Sequence, residues 1–298
     1  TQMQITVAGL SNGNNEVLKI GGVDFQLATD YTNVTAGSFK VSYVSSTGIF
    51  TITPSGATQT VANFQTLLRG ITYTNTTDNP TSGPRSFTVQ VTDAGLLNNG
   101  AGGTNLPSNN PFTTLTVTPA NDQPRLSGLD AVSLKENVIQ GTPAWLDQDI
   151  TLTDSDSAIY NNGTITISGL LTADIVSLPA SATASVGNVQ LNGSNVEYHN
   201  GSNWVVVGTA TGGSASNFVI TLNASGTAAI AERIIENLTF RNTSDAPSVS
   251  RTLTYTVNDG GAGGTVEGAT LGVTIIRDND TPVMSATTLG GTYTERDA

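Results

Sequence analysis

The feature that most limits what this chain can fold into is that much of it is written twice. Leu68-Arg69-Gly70-Ile71-Thr72-Tyr73-Thr74-Asn75-Thr76-Thr77-Asp78 returns as Ile235-Glu236-Asn237-Leu238-Thr239-Phe240-Arg241-Asn242-Thr243-Ser244-Asp245. Arg85-Ser86-Phe87-Thr88-Val89 returns as Arg251-Thr252-Leu253-Thr254-Tyr255, and Ile5-Thr6-Val7-Ala8-Gly9-Leu10 as Ile165-Thr166-Ile167-Ser168-Gly169-Leu170. Asn121-Asp122-Gln123-Pro124 returns as Asn279-Asp280-Thr281-Pro282. The matches keep their order, so one structural unit recurs with loops of different length. The copies are cut out of phase. The second has a front segment, about 126–161, with no counterpart ahead of Thr1, and the tail from Thr292 restarts that segment with Glu295 opposite Glu136. The expected organisation is a repeat lacking its front strands over 1–122, a complete repeat over 123–280, and over 281–298 the opening strand of a further repeat or a donor strand. Proline in each Asn-Asp-x-Pro cannot donate to a strand ladder, which makes that motif a domain junction.

Within each copy the apolar residues alternate with polar ones, as in Gln4-Ile5-Thr6-Val7, Phe87-Thr88-Val89-Gln90-Val91 and Thr252-Leu253-Thr254-Tyr255-Thr256-Val257. Period two, carried by Val, Ile, Thr and aromatic residues, predicts half-buried antiparallel strands. Asn192-Gly193 and Asn200-Gly201 predict hairpin turns, because both residue types tolerate positive φ. Only 61–68 and 228–235 space their apolar residues as helices do, and each runs straight into a strand. The fold class expected is all-β.

Composition narrows the chemistry. There is no cysteine and one histidine, His199, so disulfides, thiolate metal sites and Ser-His-Asp catalysis are excluded or hard to assemble. Eleven Lys and Arg against 23 Asp and Glu give a net charge of −12. No basic run exists to neutralise phosphates, so nucleic acid is not an expected partner. The apolar runs are too short for a membrane-spanning helix, and no membrane insertion is expected. An acidic excess on so few charges points instead to solubility or to divalent cations. Thr1 is not a start methionine and no secretion leader opens the chain, so a mature product or a part of something longer is expected.

The placement of those acids brings in a family. Ser133-Leu134-Lys135-Glu136-Asn137, then Ile150-Thr151-Leu152-Thr153-Asp154-Ser155-Asp156-Ser157, then Val257-Asn258-Asp259-Gly260-Gly261 and Asp278-Asn279-Asp280-Thr281-Pro282, resemble in order the signposts of a cadherin-like repeat. The nearest resemblance is to the tandem cadherin-like repeats of giant bacterial extracellular proteins and biofilm adhesins. It implies tandem antiparallel β-sandwich domains of cadherin or immunoglobulin-like type, located extracellularly or at the cell surface, without enzymatic activity. It also implies Ca2+ at the junctions, since calcium takes six to eight hard oxygen ligands. On that resemblance the junction between the copies draws on Asp78, Asn121, Asp122, Asp154, Asp156 and Asp259, and the second on Glu136, Asp245, Asp278, Asn279 and Asp280. Asp93 would mark the free upper end of copy one. The sequence departs from the pattern where an acid is expected two residues before each Asn-Asp: Pro119 and Arg277 stand there.

Copies of the chain itself are the expected partners, as neighbouring repeats of an array or as subunits of a head-to-tail filament in which the tail of one, with Glu295, completes copy one of the next. Surface glycans are the rival partner, with Trp145, Trp204, Tyr198 and His199 as a sugar-binding face. Against that, Trp204 beside three valines reads as cross-strand packing and His199, next to a turn, as exposed and passive. Asp147, Asp149, Asp154 and Asp156 as paired catalytic carboxylates are disfavoured, because strand-end acids lie outside any aromatic-lined cleft. Asp and Asn at strand ends also make ordinary Asx turns, which is the plainest account of them.

Overall fold

The computed structural model describes residues 2–57, 59–92, 108–261 and 267–279. Its contacts divide the chain into two units, Thr1–Ala120 and Asn121–Ala298. Both are antiparallel β-sandwiches, so the fold is all-β.

The first unit is built from β1 (Gln2–Ala8), β2 (Glu16–Ile20), β3 (Val23–Gln26), β4 (Tyr31–Ala36), β5 (Phe39–Val44), β6 (Ile49–Pro54), β7 (Thr72–Asn75), β8 (Gly83–Thr92) and β9 (Phe112–Val117). They pair as β4-β5-β6-β1-β8-β9 and as β3-β2-β7. Alternation decides which side chains go inside. Met3, Ile5 and Val7 of β1 and Phe39, Val41 and Tyr43 of β5 are buried, and they join Leu18, Ile20, Phe25 and Phe50 in one core. Each such side chain contributes about 1.5–3 kcal/mol by leaving water.

The second unit comprises β10 (Arg125–Ser127), β11 (Val132–Lys135), β12 (Ala144–Trp145), β13 (Thr151–Thr153), β14 (Thr164–Ser168), β15 (Asp174–Ser177), β16 (Val189–Asn192), β17 (Asn195–His199), β18 (Trp204–Gly212), β19 (Phe218–Leu222), β20 (Thr239–Asn242), β21 (Ser250–Asn258) and β22 (Glu267–Ile276). The large sheet runs β11-β22-β21-β14-β19-β18-β17-β16 and the small one β12-β20-β15. β11 is the exception to antiparallel pairing: it lies parallel to β22, with Val132 opposite Val273 and Leu134 opposite Ile275. Both predicted hairpins form, with Gly193 and Gly201 at φ +62° and +101°.

The two helical windows are real helices, α1 (Val61–Arg69) and α3 (Ala228–Glu236), built alike. Thr60 and Thr227 accept the amides of Asn63 and Ile230, which satisfies a donor that the first helical turn leaves free. Phe64 and Leu67 face the core in one, Ala231, Ile234 and Ile235 in the other. A third, short helix, α2 (Glu136–Gly141), lies between β11 and β12 and had no helical spacing to announce it. The matched Gly9 and Gly169 sit at φ +82° and +89°, and a Cβ at either would come 2.2 Å from a carbonyl oxygen of the adjacent strand. Only glycine permits that approach.

Each unit also buries one ion pair. Arg85 Nε lies 2.5 Å from Glu16 Oε1, and Arg251 Nε lies 2.8 Å from Asp174 Oδ2. Glu16 accepts three more hydrogen bonds, from Tyr73 Oη and the amides of Ser11 and Asn12, and these with Arg85 hold its carboxyl below the usual range in spite of burial. His199 departs from expectation: it is 5% exposed, its ring edge-on to Trp204 at 5.0 Å. The register sets His199 directly opposite Trp204, so cross-strand packing covers the imidazole.

Candidate metal centre

The acids of the second unit's Asp-x-Asp turn and of the turn after β21 come together. Asp154, Asp156 and Asp259 each bring one carboxylate oxygen to within 4.8 Å of the others. The turn that follows β13 places the first two. Asp154 Oδ1 accepts the amides of Asp156 and Ser157, at 3.2 and 3.0 Å, an Asx turn that aims the other oxygen away. Gly260, at φ +86°, and Gly261, whose amide donates to Asp259 Oδ1 at 2.9 Å, shape the third corner.

The Asn-Asp junction supplies the fourth side. Asp156 Oδ2 accepts the amide of Asp122 at 3.0 Å, and Asp122 Oδ2 accepts the hydroxyl of Ser155 at 2.9 Å. Ser157 Oγ lies 2.7 Å from Asp259 Oδ2 and 3.3 Å from Asn121 Oδ1, so one hydroxyl joins three segments. Gly261 leaves room for the Asn121 side chain, since a Cβ there would come 2.0 Å from Asn121 Oδ1 and displace it.

Two oxygens stand out in this arrangement. Asp154 Oδ2 and Asp156 Oδ1 are buried and have no hydrogen-bond partner. A buried carboxylate oxygen without a partner costs several kcal/mol unless a cation reaches it. Burial, and then Asp154 and Asp122 nearby, raise the Asp156 carboxyl above its ordinary value. Asp259 is also desolvated, but Ser157, Gly261 and Asn121 together hold it below. Tyr160 is fully buried beside Asp154, and burial followed by that carboxylate pushes its ionisation far up. The three converging donors are all carboxylate oxygens, the type a hard divalent cation takes, so Asp154, Asp156 and Asp259 are of the kind that holds calcium.

Asp78 is exposed on the loop after β7 of the first unit. Glu136 begins α2 almost wholly buried, and its Oε2 accepts the amide of Asp278 at 3.1 Å. Gln140 bridges Glu136 Oε1 and Asp245 Oδ1, 3.4 Å from each. Glu136, Asp245 and Asp278 therefore share one end of the second unit, held by hydrogen bonds, while Asn279 is exposed there. Among the described residues only Asp154, Asp156 and Asp259 form a close carboxylate triad. Asp93, Asp280 and Glu295 lie outside the described residues. Arg277, where an acid was expected, donates from Nε to the carbonyl of Pro247 at 2.7 Å and again from Nη2. Ser157, Gly261 and Tyr160 were not anticipated; the first two lie within two residues of predicted acids, and that nearness was the signal available.

No family model and no curated protein matches the chain. Among solved structures it is similar to extracellular cadherin domains 1–5 of protocadherin gamma B2, at 14% identity and a TM-score of 0.28 over 84% of this chain. Human CDH23 EC21–23 gives 13% and 0.29 over 92%, and Drosophila N-cadherin EC1–4 gives 11% and 0.23 over 89%. The chain spans 34%, 58% and 42% of those three chains. All three are cadherin ectodomains. No helix among the described residues is long and apolar enough to cross a membrane.

Proposed function

We propose that this chain is a structural repeat module of a secreted or cell-surface bacterial adhesin or extracellular matrix fibre, stiffened by calcium at the ends of its sandwiches. The observation that carries the reading is the pair of buried, unpartnered oxygens on Asp154 and Asp156 facing Asp259. Calcium there takes Asp154 Oδ2, Asp156 Oδ1 and Asp259, with the Asn121 carbonyl and the Asp122 carboxylate completing an oxygen shell. These ligands come from the junction, from the turn after β13 and from the turn after β21. A cation that ties three segments makes that end of the unit rigid, and without it the carboxylates repel. Extracellular calcium modules work at Kd of about 10⁻⁴ to 10⁻³ M, which suits a site with few fully buried charges. The role is mechanical, not catalytic, because the acids sit at strand ends and are held in Asx turns.

The test is a pair of melting curves, with calcium and with chelator. A ligand that binds only the folded form raises the midpoint by mass action. Coincident curves would remove calcium from the reading and leave only the repeat module.

A further inference from the structure

Along their matched strands the two units can be compared position by position, and one edge differs in burial. In the second unit Ile235, Leu238, Phe240, Leu253 and Tyr255 are each 0–1% exposed. Their sequence matches in the first unit are Leu68, Ile71, Tyr73, Phe87 and Val89. Leu68 is 38% exposed, and Ile71, Tyr73 and Val89 are half-buried. On the neighbouring strand the contrast repeats. Val273, paired with Arg251, is 1% exposed, whereas Leu115, paired with Arg85, is 41% exposed.

The cause is visible in the second unit. β11 lies along β22 and β12 along β20, and Leu134, Ile139 and Leu146 from this front segment enter the core. In the first unit, among the described residues, β9 and β7 are edge strands at the corresponding places. Between them runs an apolar cleft of about 330 Å³, lined by Ile5, Leu18, Leu68, Tyr73, Val89 and Leu115. An edge strand beside an apolar cleft is the arrangement to which an extended segment adds.

We infer that this cleft is the seat of a front segment of the repeat's own type, and that residues 284–298 of a second copy of the chain occupy it. The second unit states what such an occupant must be: a strand parallel to β9 with a large apolar side chain at the position of Leu134 and an acid two residues on, at that of Glu136. The tail meets this. With Glu295 opposite Glu136, Tyr293 falls opposite Leu134, and Thr292-Tyr293-Thr294-Glu295 carries the front-type pattern. The inference deepens the repeat-module reading by naming a partner, and it does not depend on calcium.

The test is run in chelator, so that its failure is separate from failure of the metal site. A labelled peptide of residues 284–298 is titrated into the full chain, with a peptide of residues 129–150 as the reference occupant. Saturable binding of the tail peptide is expected, with slowed hydrogen exchange of the Phe112–Val117 amides and at least a tenfold loss of affinity in Leu68→Glu and Leu115→Glu. Both positions are partly exposed, so these variants should fold, and the exchange experiment on the unaltered chain stands without them. Sedimentation of the full chain at rising concentration should show self-association that excess tail peptide suppresses. Binding of the reference peptide alone would overturn the tail as occupant. Failure of both peptides, or binding indifferent to Leu68→Glu and Leu115→Glu, would overturn the seat.

Discussion

Replacing Asp156 by asparagine should move stability in opposite directions with and without calcium. Two full charges 4.8 Å apart repel by about 3.5 kcal/mol at an effective dielectric near 20. Asp156 faces two such neighbours, yet amide donors and solvent screening offset most of that, leaving relief of about 1 kcal/mol for Asp156→Asn. The amide oxygen keeps the bond from Asp122, now made by Asp156 Oδ2 at 3.0 Å. The new NH2 takes the place of Oδ1 and points toward the unpartnered Asp154 Oδ2, a hydrogen bond of about 0.5–1.5 kcal/mol. In chelator the variant should therefore be about 1–2 kcal/mol more stable than the parent. With calcium at ten times Kd the parent gains about 1.4 kcal/mol by mass action, and the variant, short of a charged ligand, gains little. The two ought to draw level or change order as calcium rises further. The assay isolates the right unit, because both tryptophans, Trp145 and Trp204, belong to the second. Urea melts followed by tryptophan fluorescence report it alone. A variant less stable than the parent in chelator would refute the repulsion argument, and an equal calcium shift in both would show that Asp156 is not a ligand.

Two further predictions rest on the acids. In chelator, the second unit should gain stability as pH falls from 7 toward about 4, because the folded carboxyls of Asp156 and Asp149 titrate above their unfolded values; such groups contribute below the unfolded pKa and lose the contribution as pH rises through the folded one. Below the ordinary Asp range the slope should reverse, since Asp259 is held low and its contribution goes as pH falls through its folded value. A tryptophan-monitored stability profile falling steadily from neutral pH would contradict this. In the first unit Arg85→Met should cost about 3–5 kcal/mol, because it leaves Glu16 wholly buried without a countercharge, and adding Glu16→Leu should recover much of the loss. Urea denaturation followed by near-ultraviolet circular dichroism measures both, and a single-variant cost below about 1 kcal/mol would sink the account.

The strands and two helices were legible because alternation and helical spacing are local. Ile5 and Ile165 point inward for the same reason in both copies, and Thr60 and Thr227 cap the same helix. The buried ion pairs were half legible. The repeat matched Arg85 to Arg251, but their partners, Glu16 and Asp174, are acids of different length on matched strands with loops of different length between. Nothing local distinguishes a buried acid from an exposed one. Likewise α2 escaped because six residues with Glu136 and Ile139 as their buried ones carry no readable period. His199 was misread since a turn neighbour is ordinarily exposed, and only the cross-strand register puts Trp204 over it. At the candidate site the carboxylates were readable as residue types in order, whereas their convergence depends on hydrogen bonds from Ser157 and on the room left by Gly261.

The charge balance of the chain, 11 bases against 23 acids, acquires a spatial meaning from these contrasts. Two acids inside the sandwiches each have an arginine: Glu16 has Arg85 and Asp174 has Arg251. The turn that holds the candidate site has none. Among the described residues no lysine or arginine pairs with Asp154, Asp156 or Asp259. An arginine in that turn would satisfy the two unpartnered oxygens permanently and lock the end whatever the surroundings. On the calcium reading, leaving the charge open would hand the decision to the solution, and stiffness would follow the concentration of a divalent cation. One type of side chain would then serve in two ways, paired by the chain at Glu16 and Asp174 and left for an ion at Asp154 and Asp156.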